Sequence, residues 1–299
     1  MGFVGYLLVK NRTITEGGLS LLSQLVTNLF LPLFIFHELT QHFNAEKFSL
    51  WWILPLISVG VTTAGFLLGR GMLLFDKECQ NKSQFVSLVS FQNSGFIPLI
   101  LIAALFGAQE QSILNVYIFL FCIGFNMSVW SLGVWLVTNA KIDKDQFKQI
   151  LNVPFVVTLV SLGIVCLGLV DLIPGILIRP AKMFGDCTLP VSIIVVGGNL
   201  AGTNLHAFRK KSMALFILAK MILLPLIALL VIYVFKVGYL LGFILMIEAA
   251  VPSAVSLSVI GRKYKVDGTM INQGIFWSSM AGIITIPLFL TLFSMMYKG

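Results

Sequence analysis

The chain has 299 residues, of which 58% are hydrophobic and 11% charged, with 25 phenylalanines and a formal net charge of +8. An ordinary soluble domain carries roughly 25% charged residues, so this composition cannot cover a water-facing surface and names the lipid bilayer as solvent. The basic excess then belongs to loops beside anionic lipid, and nucleic acid is not expected as a partner.

About 20 apolar residues cross roughly 30 Å of hydrocarbon as a helix. Met1–Val9 is apolar but would make only about 14 Å of helix. It lacks the basic start and small-residue cleavage site of a signal peptide. Residues 18–38 form the first full span and contain "NLFLP", Asn28–Pro32. "HELTQH", His37–His42, follows. A zinc pair on one helix face needs i, i+4 spacing, whereas these histidines are i, i+5, so the stretch reads as a polar outer loop without metal. Residues 49–70 form the third segment, with "GFLLG" at 65–69 as a small-xxx-small packing signal.

The fourth segment, 83–107, holds "SFQNSGFIPLI" at 90–100. Gln92, Asn93 and Ser94 compete for backbone hydrogen bonds, Gly95 adds backbone freedom, and Pro98 removes an N–H, so this helix is expected to break. After a fifth segment at 112–138 comes the polar connection "NAKIDKDQFKQI", 139–150. Segments follow at 153–170 and 182–201, the latter with "DCTLP", Asp186–Pro190. An eighth at 212–235 carries Lys220 about 12 Å from its start. The ninth, 238–260, opens on "GYLLG" and holds "MIEAAVP", which ends at Pro252 and places Glu248 about 14 Å deep. The tenth is 270–297, and "DGT" before it reads as a helix start, with Tyr264 and Asp267 as turn and cap residues.

Ten segments around a central polar connection divide into two halves of five. "NLFLP" pairs with "DCTLP", and the break at Pro98 pairs with the break at Pro252. An odd number of spans per half makes the repeats inverted. The expected fold is an all-α polytopic membrane protein of about ten transmembrane helices. Residues 1–138 form one repeat, 139–151 a cytoplasmic linker and 152–299 the other. Two interrupted helices at matching positions of inverted halves point to a transporter's substrate site. Irregular backbone at membrane depth survives where protein, water or ligand satisfies it, so Gln92, Asn93, Ser94, Gly95, Pro98, Pro252 and Ser253 are the candidate substrate contacts.

Intramembrane charges cost at least about 2.5 kcal/mol each, so Glu248 and Lys220 should face the interior. They are read as an ion-coupling site or, alternatively, as a fixed ion pair. Asn28 and Asp186 are candidate scaffold contacts, and Asp186 reads equally as a superficial cap. The coupling ion is left open between sodium and a proton, with the proton preferred, and no other cofactor is expected. Cys79, Cys122, Cys166 and Cys187 form no C-x-x-C pair, and no phosphate-binding G-x-x-x-x-G-K-[ST] loop is present. An intramembrane enzyme would need an acid, nucleophile and base that are not in evidence in the motifs.

With both termini outside, fourteen basic residues fall in inner loops: Lys10, Arg12, Arg70, Lys77, Lys82, Lys141, Lys144, Lys148, Arg209, Lys210, Lys211, Arg262, Lys263 and Lys265. Five fall outside, namely Lys47, Arg179, Lys182, Lys236 and Lys298, and Lys220 completes the twenty. This asymmetry obeys the positive-inside rule for a multi-pass protein of the cell membrane. "NRT" and "NKS" lie in inner loops, where they would not be glycosylated.

"FQNSGFIPL" at 91–99, "AAVPSAVSLSVIGRKYKVD" at 249–267 and "FWSSMAGIITIPLFL" at 276–290 resemble the auxin efflux carrier family, including its prokaryotic members. The short first segment and small central loop depart from the plant pattern. The resemblance implies a fold like the bile acid symporters, with crossed broken helices four and nine. It implies a scaffold of helices 1, 2, 6 and 7 and a transport domain of helices 3, 4, 5, 8, 9 and 10. It also implies small organic anions such as malate or auxin-like weak acids as substrates, an elevator-type movement and a homodimer. The rival from another class is a membrane sensor that binds a ligand in the same cavity without moving it.

Overall fold

The computed structural model describes all residues except Met1, Lys47, Ser49, 140–148, 202–209, Lys298 and Gly299. Most of the central linker therefore lies outside the described residues. So do the charge assignments of Lys47, Lys141, Lys144, Lys148, Arg209 and Lys298.

Among the described residues the regular structure is helical, as the apolar runs require where no water can satisfy an open backbone. The helices are α1 (Gly2–Lys10), α2 (Glu16–Leu25), α3 (Leu31–His42), α4 (Ile53–Met72), α5 (Lys82–Ser90), α6 (Ile97–Leu105), α7 (Ala108–Ser128) and α8 (Val134–Thr138). They continue with α9 (Val153–Cys166), α10 (Gly175–Asp186), α11 (Thr188–Ala201), α12 (Lys210–Leu218), α13 (Leu224–Phe235), α14 (Tyr239–Ala250), α15 (Ser256–Lys263) and α16 (Thr269–Met296). Among the described residues six continuous runs are long and apolar enough to cross a membrane: Gly17–His42, Ile53–Met72, Ala108–Thr138, Gly175–Asn199, Lys210–Phe235 and Thr269–Met296. Val153–Cys166 and Tyr239–Ala250 are shorter apolar helices.

Three π turns, Val26–Phe30, Val129–Gly133 and Ala219–Leu223, join α2 to α3, α7 to α8 and α12 to α13. Two of them have a local cause. Pro32 and Pro225 have no N–H to offer the carbonyls of Asn28 and Met221, and the preceding turn widens to absorb the loss. α13 ends in a Schellman cap: Val237 N–H donates to Ile232 O at 3.1 Å and Lys236 N–H to Tyr233 O at 3.4 Å, with Lys236 left-handed at φ 49°.

Several expectations are corrected here. "HELTQH" is not a loop: α3 runs through His42, and the chain turns extended only at Phe43. The seventh segment starts at Gly175 rather than 182, because α10 tolerates Pro180 and carries Arg179 and Lys182 along an otherwise apolar run. "GYLLG" packs at only one of its glycines: Gly242 meets Phe293 and Tyr297, whereas Gly238 caps α14 in open space. "GFLLG" packs at both, since a Cβ on Gly65 would lie 2.8 Å from the Ser90 Cα, and one on Gly69 3.2 Å from the Val86 Cα.

The chain divides into two compact units. One comprises Met1–Leu54, Leu99–Ile123 and Leu151–Thr203. In it Gly5 of α1 lies against the backbone of Ile194 in α11, and Gly185 of α10 against the backbone of Phe34 in α3. α7 as far as Ile123 joins this unit through Phe119, whose ring meets Phe34 edge-on at 5.6 Å, and Tyr117, which meets Phe48 at 5.4 Å.

The other unit comprises Pro55–Pro98, Gly124–Ile150 and Asn204–Gly299. Here α16 lies against α5 at Gly274, where a Cβ would touch Leu88 at 2.5 Å, and against α14 through Tyr239, Phe243, Phe293 and Tyr297. Leu224, Ala228 and Ala249 form a core that Ala64, Leu68 and Leu245 extend. Ser212 at the start of α12 donates to the buried Asp76 carboxylate, fastening the turn after α4.

Candidate functional site

The fourth and ninth segments are both interrupted, at the positions their sequences marked. α5 stops at Ser90 and α6 resumes at Ile97, and α14 stops at Ala250 and α15 resumes at Ser256. The two extended stretches cross. Gln92 and Ser253 form an antiparallel bridge, Asn93 N–H donates to Pro252 O at 2.8 Å, and Ala254 N–H donates to Phe91 O at 3.0 Å. Pro252 cannot donate to the preceding turn, but its carbonyl serves as acceptor for the other break, so each interruption supplies what the other lacks.

Ser253 ties the crossing to its surroundings. Its hydroxyl donates to the Leu88 carbonyl at 2.6 Å, and its N–H donates to Ser278 Oγ of α16 at 3.2 Å. Ser278 in turn donates to Gly274 O at 2.7 Å. A cap-like bond thus passes from one broken helix to the other and on to the last helix.

Gln92, Ser94 and Ser253 are fully buried, and Asn93 nearly so. Gly95 is half-buried with open space where a Cβ would go, and Pro98 occupies the second position of α6.

Glu248, in the last turn of α14, and Lys220, in the π turn after α12, are both completely buried in this same unit. Ser94, Lys220 and Gln92 surround the Glu248 carboxylate and act on it electrostatically. Even so, no hydrogen bond closes on either Glu248 oxygen, on Lys220 Nζ or on either end of the Gln92 amide. Lys220 and Glu248 thus act on one another electrostatically without a hydrogen bond between them. Buried charges left in this way need water, a proton or a ligand to complete them.

Asn28 and Asp186 stand apart from the crossing. Asn28 is exposed within the first π turn, and Asp186 ends α10, with its carboxylate 57% exposed and paired to Lys182 Nζ at 2.8 Å one turn away. Asp267 and Tyr264 hold the turn before α16. Asp267 Oδ1 accepts from Thr269 N–H at 3.0 Å and from its hydroxyl at 2.6 Å. The Asp267 carbonyl accepts from Gln84 at 2.9 Å, and the Tyr264 hydroxyl from Gln149 at 2.8 Å. The bonds from Thr269 hold the Asp267 carboxyl below its usual range. The one residue of the crossing that the sequence reading did not single out is Ser278, whose only sign was a serine pair inside an apolar helix.

A family model described as a membrane transport protein matches residues 1–152 and 138–290. Protein PIN-LIKES 6 of Arabidopsis thaliana is 31% identical over 108 residues, which is 35% of this chain and 25% of that protein. Protein PIN-LIKES 2 of the same plant is 28% identical over 104 residues, 34% of this chain and 23% of that protein. The matched stretch thus spans about a quarter of the length of these relatives. Since the family matches reach from residue 1 to residue 290 and the helices include six able to span a bilayer, the chain belongs to the membrane transport protein family, that of the auxin efflux carriers, as a multi-pass membrane protein.

Proposed function

We propose that this protein is a secondary transporter of small organic anions, malate-like carboxylates or auxin-like weak acids, and that the crossing of its two interrupted helices is the substrate site. The observation that carries the reading is the crossing itself: irregular backbone, buried amides and two buried charged groups without hydrogen-bond partners gathered in one compact unit. Such backbone is tolerated at membrane depth where it lines a cavity. An anion is favoured because the Lys220 ammonium and the Asn93 and Gln92 amides are donors. The half-helices α6 and α15 also both begin beside the crossing, where their first N–H groups carry partial positive charge.

In this reading Glu248 binds the coupling proton. Gln92, Ser94 and Glu248 also offer oxygens that a sodium ion would accept. Collection of the whole site within one unit supports an elevator-type cycle in which that unit moves as the carrier, the protein working as a homodimer in the cell membrane with both termini outside. No step of the cycle calls on bond-making chemistry, so the protein is not an enzyme.

Proteoliposomes loaded with labelled malate, under opposed sodium and pH gradients, test the reading. Saturable uptake that follows the pH gradient is expected. Asn93→Ala should abolish flux in a folded protein. Glu248→Gln should retain counterflow while losing the response to pH, and the Lys220→Met/Glu248→Gln double variant should not regain it. Binding of the acid by thermal shift without any counterflow would instead select a sensor, and strict sodium dependence at fixed pH would overturn the proton assignment.

A further inference from the structure

Away from the crossing, the end of α3 gathers a second set of polar groups that the transport reading does not use. His37, Glu38 and His42 present one ligand atom each, and these atoms all lie within 4.8 Å of one another. The i, i+5 histidine spacing that spoke against metal in the sequence was the wrong pair to test: Glu38 and His42 are the i, i+4 pair on one helix face, and His37 closes on them from the neighbouring position.

The Glu38 carboxylate is only 8% exposed, so it is costly unless compensated. What it has is modest: Asn115 Nδ2 donates to Oε2 at 3.2 Å, and His37 Nδ1 stands 3.4 Å from Oε1. The Asn115 side chain is itself fully buried, and its Oδ1 has no hydrogen-bond partner.

From this geometry we infer that His37, Glu38 and His42 form a binding site for a divalent transition-metal ion of the zinc type. Two imidazole nitrogens and one carboxylate oxygen with an open fourth position are a donor set that zinc takes, at bonds of roughly 2.0–2.2 Å. Tetrahedral ligands at about 2.1 Å stand roughly 3.4 Å apart, which is the His37 Nδ1 to Glu38 Oε1 separation. An ion at the centre of three atoms no more than 4.8 Å apart would sit no more than about 2.8 Å from each, so closure to zinc distances needs shifts of at most roughly 0.7 Å.

Asn115 supplies the outer partner that holds the non-ligating carboxylate oxygen, as ligating carboxylates require. The Asn115 Oδ1, which has no hydrogen-bond partner, is an acceptor available to a metal-bound water. His42 is the last residue of α3, where the helix end carries partial negative charge and favours a cation. Bound metal would clamp the end of α3 to α7 within the first unit.

The inference is independent of the transport reading, and its readout is binding rather than flux. The purified full-length chain in detergent is titrated with Zn²⁺, with Mg²⁺ and Ca²⁺ in parallel, by calorimetry and thermal melting. One Zn²⁺ per chain is expected, with a rise in Tm of several degrees at about a hundredfold excess over Kd and no comparable effect of Mg²⁺ or Ca²⁺. Glu38→Gln and His42→Ala should each weaken binding at least tenfold, while Asp267→Asn leaves it unchanged. Should either variant fail to fold, X-ray absorption at the zinc edge of the wild-type protein decides: two imidazole nitrogens with oxygen support the site. A sulfur-containing shell, an absence of stoichiometric binding, or affinity indifferent to both substitutions overturns it.

Discussion

Ser253→Ala is the most direct probe of the crossing, because one hydroxyl joins both broken helices. The substitution removes only the 2.6 Å bond from Ser253 Oγ to the Leu88 carbonyl and leaves the backbone bonds of Asn93 and Ala254 in place. Ser253 and Leu88 are both fully buried, so no bulk water replaces the lost donor. Leaving a buried acceptor without its donor costs about 1–3 kcal/mol, and interhelical bonds in membrane proteins measure about 0.6 on average and about 1.7 at most. The short distance and complete burial argue for the upper end of the membrane range, about 1–2 kcal/mol. At roughly 2–4 °C per kcal/mol this is a fall in Tm of about 2–8 °C. Thermal melting in detergent would read it beside Ser279→Ala, whose hydroxyl merely bonds back to Ile275 O in its own helix at 2.7 Å. Equal melting temperatures for the two variants would refute the argument that Ser253 fastens the crossing.

Gly65→Ala should destabilise by about 1–3 kcal/mol, because its Cβ would stand 2.8 Å from the Ser90 Cα and the Val89 carbonyl oxygen, both backbone atoms that cannot step aside. Gly60→Ala in the same helix meets nothing and should gain up to about 1 kcal/mol of helix propensity; a shared sign in thermal melts would contradict the contrast between them. Lys236→Gly should stabilise by about 1 kcal/mol by relieving a left-handed lysine in the Schellman cap, and a fall in Tm would show that the lysine side chain matters more than its backbone. Asp267, with its carboxyl lowered from the ordinary value by the Thr269 hydroxyl and N–H, stabilises the fold above that ordinary value and loses the contribution as pH falls through the lowered one. The Tm difference between wild type and Asp267→Asn should therefore shrink on acidification from neutral pH, and growth of the difference instead would reverse the sign.

What could be read without coordinates depended on whether one residue's chemistry was sufficient. Gln92, Asn93, Ser94, Gly95 and Pro98 each disfavour a helix for a different reason, and their sum located the break to within a residue or two. The partner of that break was legible from the repeat, but the bonds that tie the two were not, because the one from Asn93 N–H to Pro252 O joins positions 159 apart in sequence. Small-xxx-small spacing behaved unevenly for a similar reason. Gly65 and Gly69 both meet a neighbouring helix, but of the identically spaced Gly238 and Gly242 only Gly242 does, since spacing says nothing of where a helix begins. In α10, Arg179, Pro180 and Lys182 obscured an apolar stretch whose charges simply sit on its exposed side.

The depth of Lys220 and Glu248 followed from counting residues, but their orientation did not, and the π turn explains why. A strict 3.6-residue wheel carried forward from the buried Phe216 and Lys220 would put Leu223, Ile227 and Leu230 inside. The buried residues are instead Leu224, Ala228 and Ile232, while Ile227 and Leu230 are exposed. One extra residue in the turn Ala219–Leu223 shifts the stripe by about 100°, and Pro225 is the local cause of that residue. The same proline thereby sets two things at once. It keeps Lys220 in the interior with Glu248, and it turns the following three turns so that Leu224 and Ala228 complete the core against Ala249 of the helix that carries Glu248. A charge that would be expelled from a straight apolar helix is in this way held in place by the packing of its own C-terminal half, without a hydrogen bond of its own.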